Sequence, residues 1–225
     1  MNRIKHYRGS LILLALYAIA LVYFMYALPA DAQIPIHWNA EGEIDGYTGK
    51  TGSAIFGLGL SLGLFLLIYL MPYYSPKYRN HEARFERILP GLSFVLILFF
   101  ALISIYSYII ALYGSSIPIN FIFVIMGLMF LFLGNLLPKV PRNFFIGIRT
   151  PWTLSDEENW HKTHRVGGYL FVISGVILTI KGILLVSMQT FQTVTSVIAF
   201  GLVLYPLLYS FLLFETVHRD LICFQ

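Results

Sequence analysis

The polar segment at residues 134–168 holds the side chains best suited to recognise a ligand. Arginine presents a planar fork of N–H donors that fits carboxylates and phosphates, and amide and imidazole groups can complete such a site. This chemistry suits an anionic lipid headgroup, a peptide carboxylate or a cytoplasmic protein partner. The candidate recognition residues are Asn143, Arg149, Thr150, Trp152, Trp160, His164 and Arg165.

Two other interpretations of this segment remain open. In the first, the same polar side chains tie an irregular strap to the helix ends and satisfy backbone groups at the membrane surface. In the second, Glu157, His161 and His164 lie on one helical face and bind a metal. No further histidine or cysteine ligand is nearby, so the sequence disfavours the metal-binding interpretation and predicts no metal.

The backbone of this segment is expected to be extended first and helical afterwards. Three prolines break a continuous helix, and Asn143–Thr153 is therefore predicted to be an irregular strap. Ser155 with Glu158 three residues later has the spacing of a capping box, which predicts a helix that begins at Ser155 and continues into the next apolar run. The prolines are Pro138, Pro141 and Pro151.

The strap is expected to fold back on that helix. Trp160 and His164 lie one turn apart on the same helical face, where an extended segment can reach them. We expect this packing to present Arg149 to a ligand on the cytoplasmic side. Trp152 and Trp160 are predicted to anchor the segment at the membrane interface.

Composition places the chain in a membrane. Its 225 residues are 58% hydrophobic and 12% charged, against roughly 25% charged in soluble proteins. Lipid offers no partners for free backbone amides, so the long apolar runs must be helices. We predict an all-α polytopic protein whose six spans are 11–28, 54–71, 91–113, 117–137, 166–188 and 194–214.

The basic residues predict the orientation of these spans. Thirteen of the fifteen lysines and arginines fall in segments that share one side, Lys50 falls on the other, and Lys181 lies inside a span. The positive-inside rule therefore places both termini in the cytoplasm. The net charge of +4 reflects this topology, and no direct nucleic-acid partner is expected. The thirteen are Arg3, Lys5, Arg8, Lys77, Arg79, Arg84, Arg87, Lys139, Arg142, Arg149, Lys162, Arg165 and Arg219.

The outer loop at residues 29–53 is acidic and rich in turn-forming residues. Asn39, Glu41, Glu43 and Asp45 alternate as they would in a cation-binding loop, but Ile44 stands where a calcium loop needs glycine. A solvated loop is favoured over a metal site. His37 beside Trp38 is similarly favoured as an interfacial aromatic pair over a ligand.

Small residues and one lysine predict how the spans pack. Glycines and serines in the second span suggest that this helix is central. Gly168, Gly175 and Gly182 recur every seven residues and predict a packing seam, which we expect to face that second helix. Lys181 is close enough to the outer face to extend its amine toward water.

The motifs resemble a known bacterial family. The elements GN..P, RN..GIRTPWT and W..THR.G within residues 134–168 match the SdpI family of immunity proteins in type and spacing. The first part resembles a short domain of unknown function with an IPxHxNxxGxxD pattern, which includes His37, Asn39 and Asp45. The resemblance covers nearly the whole chain and divides it into residues 1–75 and 76–225, with the signature loop at 134–168.

This resemblance favours recognition over the other two interpretations of the segment, and it implies a location and a non-enzymatic function without a cofactor. It places the chain in the bacterial cytoplasmic membrane as a multi-pass protein that gives immunity to a secreted, membrane-active toxin peptide. It further implies a receptor that holds a transcriptional repressor at the membrane. The alternative class is a small transporter or lipid-handling protein. A transporter should show paired polar residues at the bilayer midplane or an inverted repeat, whereas the spans offer Lys181, which is off centre.

The predicted orientation can be tested with reporter fusions. Fusions after Tyr78 and Leu154 should give cytoplasmic signals, and one after Glu43 should give an external signal, because the basic segments stay inside. A cytoplasmic signal at Glu43 would overturn the orientation.

Overall fold

The computed structural model describes residues 3–114, 120–184 and 188–223, with the backbone alone for 217–223. Six of the described helices are long and apolar enough to cross a membrane, which confirms the predicted all-α polytopic fold. The ends of the predicted spans at 117–119 and 185–187, and the side chain of Arg219, lie outside the described part. The elements are α1 (Arg8–Ala27), β1 (Gln33–Trp38), β2 (Ile44–Gly49), α2 (Lys50–Tyr74), α3 (Glu82–Tyr113), α4 (Phe121–Leu136), α5 (Pro151–Ser155), α6 (Glu157–Leu184) and α7 (Gln189–Cys223).

The glycine seam of α6 faces α4. A Cβ at Gly175 would lie 2.7 Å from the carbonyl oxygen of Gly127, and one at Gly168 would lie 2.8 Å from that of Gly134. Glycine is therefore needed on both helices to let the two backbones touch. The seam was predicted correctly, but its predicted partner was wrong, because the fourth span carries the complementary glycines.

The second span is peripheral, contrary to prediction. A Cβ at Gly59 or Gly63 would meet no atom within 4 Å, and Leu62, Leu66 and Leu67 are exposed on the same helix. Gly59 and Gly63 therefore make no close helix contact, whereas a Cβ at Gly57 would collide with the Tyr17 hydroxyl of α1. The central position belongs to α3, which packs against α1, α2 and α4.

The outer loop forms a β-hairpin, where a solvated loop was expected. Strands β1 and β2 pair antiparallel, with an irregularity between Pro35 and His37. Asn39 builds the turn, since its Oδ1 accepts from the backbone N–H groups of Glu41 at 3.1 Å and Glu43 at 2.8 Å. The turn chemistry was anticipated, but the pairing was not.

Lys181 is buried under the tip of this hairpin. It is 1% exposed, and its Nζ donates to the carbonyl oxygens of Ala40 at 3.2 Å and Gln192 at 2.9 Å and to Ser196 Oγ at 2.5 Å. The ring of Phe123 covers it at 3.4 Å from Nζ to the centroid. The prediction that Lys181 extends toward water was wrong, because the hairpin brings its partners to it.

The glycine seam predicts an asymmetric response to alanine. Gly175→Ala should lower the free energy of unfolding by about 1 to 3 kcal/mol, since its methyl group overpacks the contact with α4. Gly63→Ala, in open space on α2, should change it by less than about 1 kcal/mol. Thermal unfolding in detergent measures both, and equal losses would refute the seam.

Candidate functional site

The strap, residues 140–150, is folded around the side chain of Asn143. Its Oδ1 accepts from the backbone N–H groups of Phe145 and Ile146, both at 2.8 Å. Its Nδ2 donates to the carbonyl oxygens of Pro141 at 2.8 Å and Ile146 at 3.1 Å. Asn143 is fully buried and its donors and acceptors are occupied, so it shapes the strap from within.

His164 on α6 holds the far end of the strap. The backbone N–H of Ile148 donates to His164 Nε2 at 3.0 Å, and Nδ1 lies 2.8 Å from the carbonyl oxygen of Trp160. An amide can donate only to an unprotonated nitrogen, so Nδ1 carries the proton and the ring is neutral. The expected fold-back of the strap onto this helix is therefore observed, with His164 as the contact.

Gly147 makes this contact possible. Its φ of 107° is a conformation that side chains rarely adopt, and a Cβ there would collide with His164 Nε2. The strap therefore needs glycine both for its turn and for its approach to the imidazole.

Trp160 is part of the core and does not anchor at the interface. It is 0% exposed, its Nε1 donates to the carbonyl oxygen of Val140 at 2.9 Å, and its ring stacks on His164 with centroids 3.9 Å apart. The predicted interfacial role was wrong for Trp160, because the strap covers this face of α6. Trp152 is half-buried and packs against Phe211 and Phe214.

Two threonines end the strap and begin α5. Thr150 Oγ1 accepts from the backbone N–H of Thr153 at 3.2 Å, and Thr153 Oγ1 accepts from that of Thr150 at 2.9 Å. This reciprocal cap has the capping-box geometry, with threonine in both places. The strap therefore ends at Thr150, three residues before the predicted end at Thr153.

The predicted cap at Ser155 was wrong. Ser155 is the last residue of α5, and α6 begins at Glu157. Asp156 caps it, because its Oδ2 accepts from the backbone N–H of Asn159 at 2.6 Å. An aspartate is an equally good cap, and Pro151 had already started a short helix upstream.

A buried polar network joins this region to α7. Asn159 Nδ2 donates to the carbonyl oxygen of Ser210 at 2.9 Å and Thr163 Oγ1 donates to Asn159 Oδ1 at 3.0 Å. Thr150 Oγ1 and Ser210 Oγ lie 3.0 Å apart. Neither Asn159 nor Ser210 was predicted from the sequence. The spacing of Asn159 and Thr163 on one helical face was the available signal, whereas nothing marked Ser210 within its span.

Cationic side chains are exposed at the site. Arg149 is exposed, and its Nη1 donates to the carbonyl oxygen of Phe144 at 2.7 Å. Lys77 Nζ lies 4.9 Å from the centroid of the Phe144 ring, which places a second cation on the same part of the strap. Arg165 is exposed on α6. These groups can meet an anion, whereas Asn143, Trp160 and His164 are committed to internal bonds.

A cavity of about 310 Å³ lies beneath the strap. Phe145, Ile146 and Ile148 cover it, and leucines of α2, α3 and α4 form its walls. The ring of Tyr74 on α2 packs edge-on against that of Phe145, with centroids 4.8 Å apart. This volume lies at the lower end of the roughly 300–1,000 Å³ that small-ligand sites occupy. The strap therefore has exposed cations on its outer side and an apolar cavity beneath it.

The three residues of the metal-binding interpretation, Glu157, His161 and His164, do not lie together. Glu157 lies 3.6 Å from His161 and 3.5 Å from Arg142, while His164 is buried against the strap. Among residues 3–114, 120–184 and 188–223, no group of three histidine, cysteine, aspartate or glutamate side chains is placed to hold a metal.

The outer-loop candidates do not join this site. His37 Nδ1 and Asp45 Oδ1 lie 2.5 Å apart on the hairpin, and Asn39 Nδ2 donates to Glu43 at 3.1 Å. The hairpin connects α1 to α2, whereas the strap connects α4 to α5 and contacts the far end of α2. The two sets of candidates thus lie at opposite ends of the helices.

Comparison with known proteins agrees with the motifs. Residues 139–210 match the SdpI/YfhL protein family, and residues 11–62 match a domain of unknown function (DUF1648). The chain is 37% identical over 59 residues to the Immunity protein SdpI of Bacillus subtilis (strain 168), and this alignment covers 26% of each chain. No solved structure matches the chain.

The folding of the strap around Asn143 predicts its sensitivity to protease. Asn143→Ala removes the acceptor for two backbone amides, which costs about 1 to 3 kcal/mol for each buried group left unpaired. Trypsin should then cleave after Arg149 several-fold faster in detergent-solubilised protein. Phe144→Ala, an exposed neighbour, is the control and should be cleaved at a rate near that of the starting protein. Unchanged cleavage in Asn143→Ala would refute the role of Asn143.

Proposed function

We propose that this chain, an SdpI-type membrane protein with an N-terminal DUF1648 domain, protects a bacterial cell from a secreted, membrane-active toxin peptide. The similarity to an immunity protein supports this class of function. The matched region 139–210 contains the strap from Val140 onward, its support on α6 and the network to α7. The protein acts in the cytoplasmic membrane without catalysis.

The observation that carries this proposal is the combination of cation and cavity at the strap. Arg149 is exposed and directly follows Ile148, which covers the apolar cavity together with Phe145. A membrane-active peptide offers apolar side chains for such a cavity and a carboxylate for an arginine fork. The neighbouring Lys77 adds positive potential on the same surface. The strap is thus the surface at which we place toxin recognition.

A receptor role would use the same exposed surface. If both termini are cytoplasmic, the strap faces the cytoplasm, where a repressor protein could contact Arg149 and Arg165 without entering the membrane. The toxin and the repressor would then compete or cooperate at one structural element. This extension rests on the predicted orientation and on the family resemblance.

A transporter is the weaker candidate. An ion pathway needs a polar route through the bundle, and Lys181 is enclosed by two carbonyl oxygens, Ser196 Oγ and the face of Phe123. These partners complete the hydrogen bonding of its ammonium group. Lys181 therefore fastens the hairpin to α6 and α7, and it provides no argument for transport.

Arg149→Lys tests the proposal. Lysine keeps the positive charge but loses the planar fork, so protection should fall by about tenfold or more if the fork contributes about 1.5 to 3 kcal/mol to recognition. The measurement is growth across a toxin concentration series, with membrane abundance determined in parallel.

Arg165→Lys is the matched control, since that exposed arginine lies on α6 outside the strap and should tolerate a point charge near lipid phosphates. Loss of abundance in proportion to protection would make Arg149 a structural residue, given its bond to Phe144. Full protection by Arg149→Lys at normal abundance would remove Arg149 from the site.

A further inference from the structure

A second cavity, of about 380 Å³, lies at the opposite end of the helices under the hairpin. Strand β1 covers it, and its walls come from the first turns of α2, the second half of α3 and the start of α4. It is independent of the strap and of the proposed immunity function. Trp38 of β1, Phe56 and Leu60 of α2 and Ser104 of α3 are among the residues that line it.

The cavity opens toward the hydrocarbon layer of the bilayer. Phe56 on its α2 wall is 70% exposed and Ile36 on β1 is 52% exposed, so its rim faces outward beside the apolar surface of α2. A void of this size between membrane helices is open to whatever the hydrocarbon layer contains.

The indole of Trp38 brings an unpaired donor to this wall. Trp38 stacks on Tyr106 with centroids 6.3 Å apart, while its indole Nε1 is buried without a hydrogen-bond acceptor in the part of the chain that the structure describes. A buried donor left unpaired costs about 1 to 3 kcal/mol. A ligand oxygen that accepts from Trp38 would recover that energy.

Two other polar groups of the wall have partners. Ser107 donates to the carbonyl oxygen of Ile103 at 3.0 Å, and His37 at the rim is paired with Asp45. Ser104 Oγ, like Trp38 Nε1, is buried without a hydrogen-bond partner among the described residues. The cavity therefore offers an apolar volume with an unpaired N–H donor and an unpaired hydroxyl, both of which can donate, so the matching ligand is an apolar chain that carries an acceptor.

We infer that this cavity binds an acyl chain of a membrane lipid, with the ester carbonyl accepting a hydrogen bond from Trp38 Nε1. An ester has acceptors and no donors, which fits the wall. A peptide fits less well, because in hydrocarbon it must form a helix to satisfy its own backbone.

The proposal assigns a lipid-binding role to the N-terminal part of the chain, which the function proposed for the strap leaves unexplained. The bound chain fills the space between β1, α2, α3 and α4 and thereby supports the hairpin that covers Lys181. Lipid binding and hairpin stability are then linked, because a ligand that binds the folded state raises its stability by mass action.

The test uses delipidated protein in detergent and two probe lipids, diester phosphatidylcholine and its diether analogue, which lacks the carbonyl groups. The melting temperature is followed as each lipid is titrated. We expect saturable stabilisation by the diester and a half-saturating concentration about 2- to 10-fold higher for the diether, since one hydrogen bond contributes roughly 0.5 to 1.5 kcal/mol.

Three variants locate the effect. Trp38→Phe should bind both lipids equally, because the donor is gone. Leu60→Trp should fill the cavity and remove the saturable response, whereas Leu62→Trp, exposed on the same helix outside the cavity lining, should keep it. Should Trp38→Phe fail to fold, the comparison of the two lipids on the starting protein still decides the role of the carbonyl.

Equal affinity of the starting protein for both lipids would overturn the assignment to Trp38. A response unchanged by Leu60→Trp would show that lipid binds elsewhere. Saturable stabilisation by an apolar helical peptide, with none by either lipid, would replace the acyl chain with a peptide.

Discussion

The far end of the strap, which carries Arg149, depends on one hydrogen bond, from the backbone N–H of Ile148 to Nε2 of a neutral His164. The bond requires the imidazole to hold its proton on Nδ1, which the carbonyl oxygen of Trp160 secures from the preceding turn of the same helix. It also requires Gly147 beside the ring. A single acceptor nitrogen on α6 therefore fixes where the strap crosses the helix and where Arg149 leaves it.

The polar residues of the signature loop form two groups, one structural and one exposed. Asn143, Thr150, Trp160 and His164 spend their hydrogen bonds on the strap, α5 and α6, and all four are buried. Arg149 and Arg165 remain exposed. Both interpretations of the loop, structural tie and recognition, are thus combined in the proposal, with buried residues building a rigid platform for exposed cations.

Much of this arrangement follows from the sequence. The six spans follow from apolar length, since lipid forces helices, and the fold-back of the strap followed from the prolines and from the one-turn spacing of Trp160 and His164. The same spacing could not tell whether Trp160 faces lipid or protein, because that depends on which segment covers the helix. Its burial under the strap is a tertiary result.

Other features depended on partners distant in the chain. The glycines of α6 predicted a seam, but small residues occur in both the second and the fourth span, and only the packed structure selects Gly127 and Gly134 on α4. Lys181 was misassigned because its partners include the carbonyl of Ala40, in a hairpin about 140 residues earlier. The local sequence pattern predicts the helices and which of their faces pack. Which helix or hairpin packs against a given face depends on complementarity between surfaces that are distant in the chain.

The most direct test of the central claim is the ¹⁵N spectrum of the His164 imidazole, identified by the signals that disappear in His164→Gln. The hydrogen bond from Ile148 requires a neutral ring with the proton on Nδ1 and an unprotonated Nε2 that shows a coupling to the Ile148 amide. A ring protonated on Nε2, whether neutral or cationic, could not accept that bond, and such a spectrum would contradict the strap geometry on which the account of the site depends.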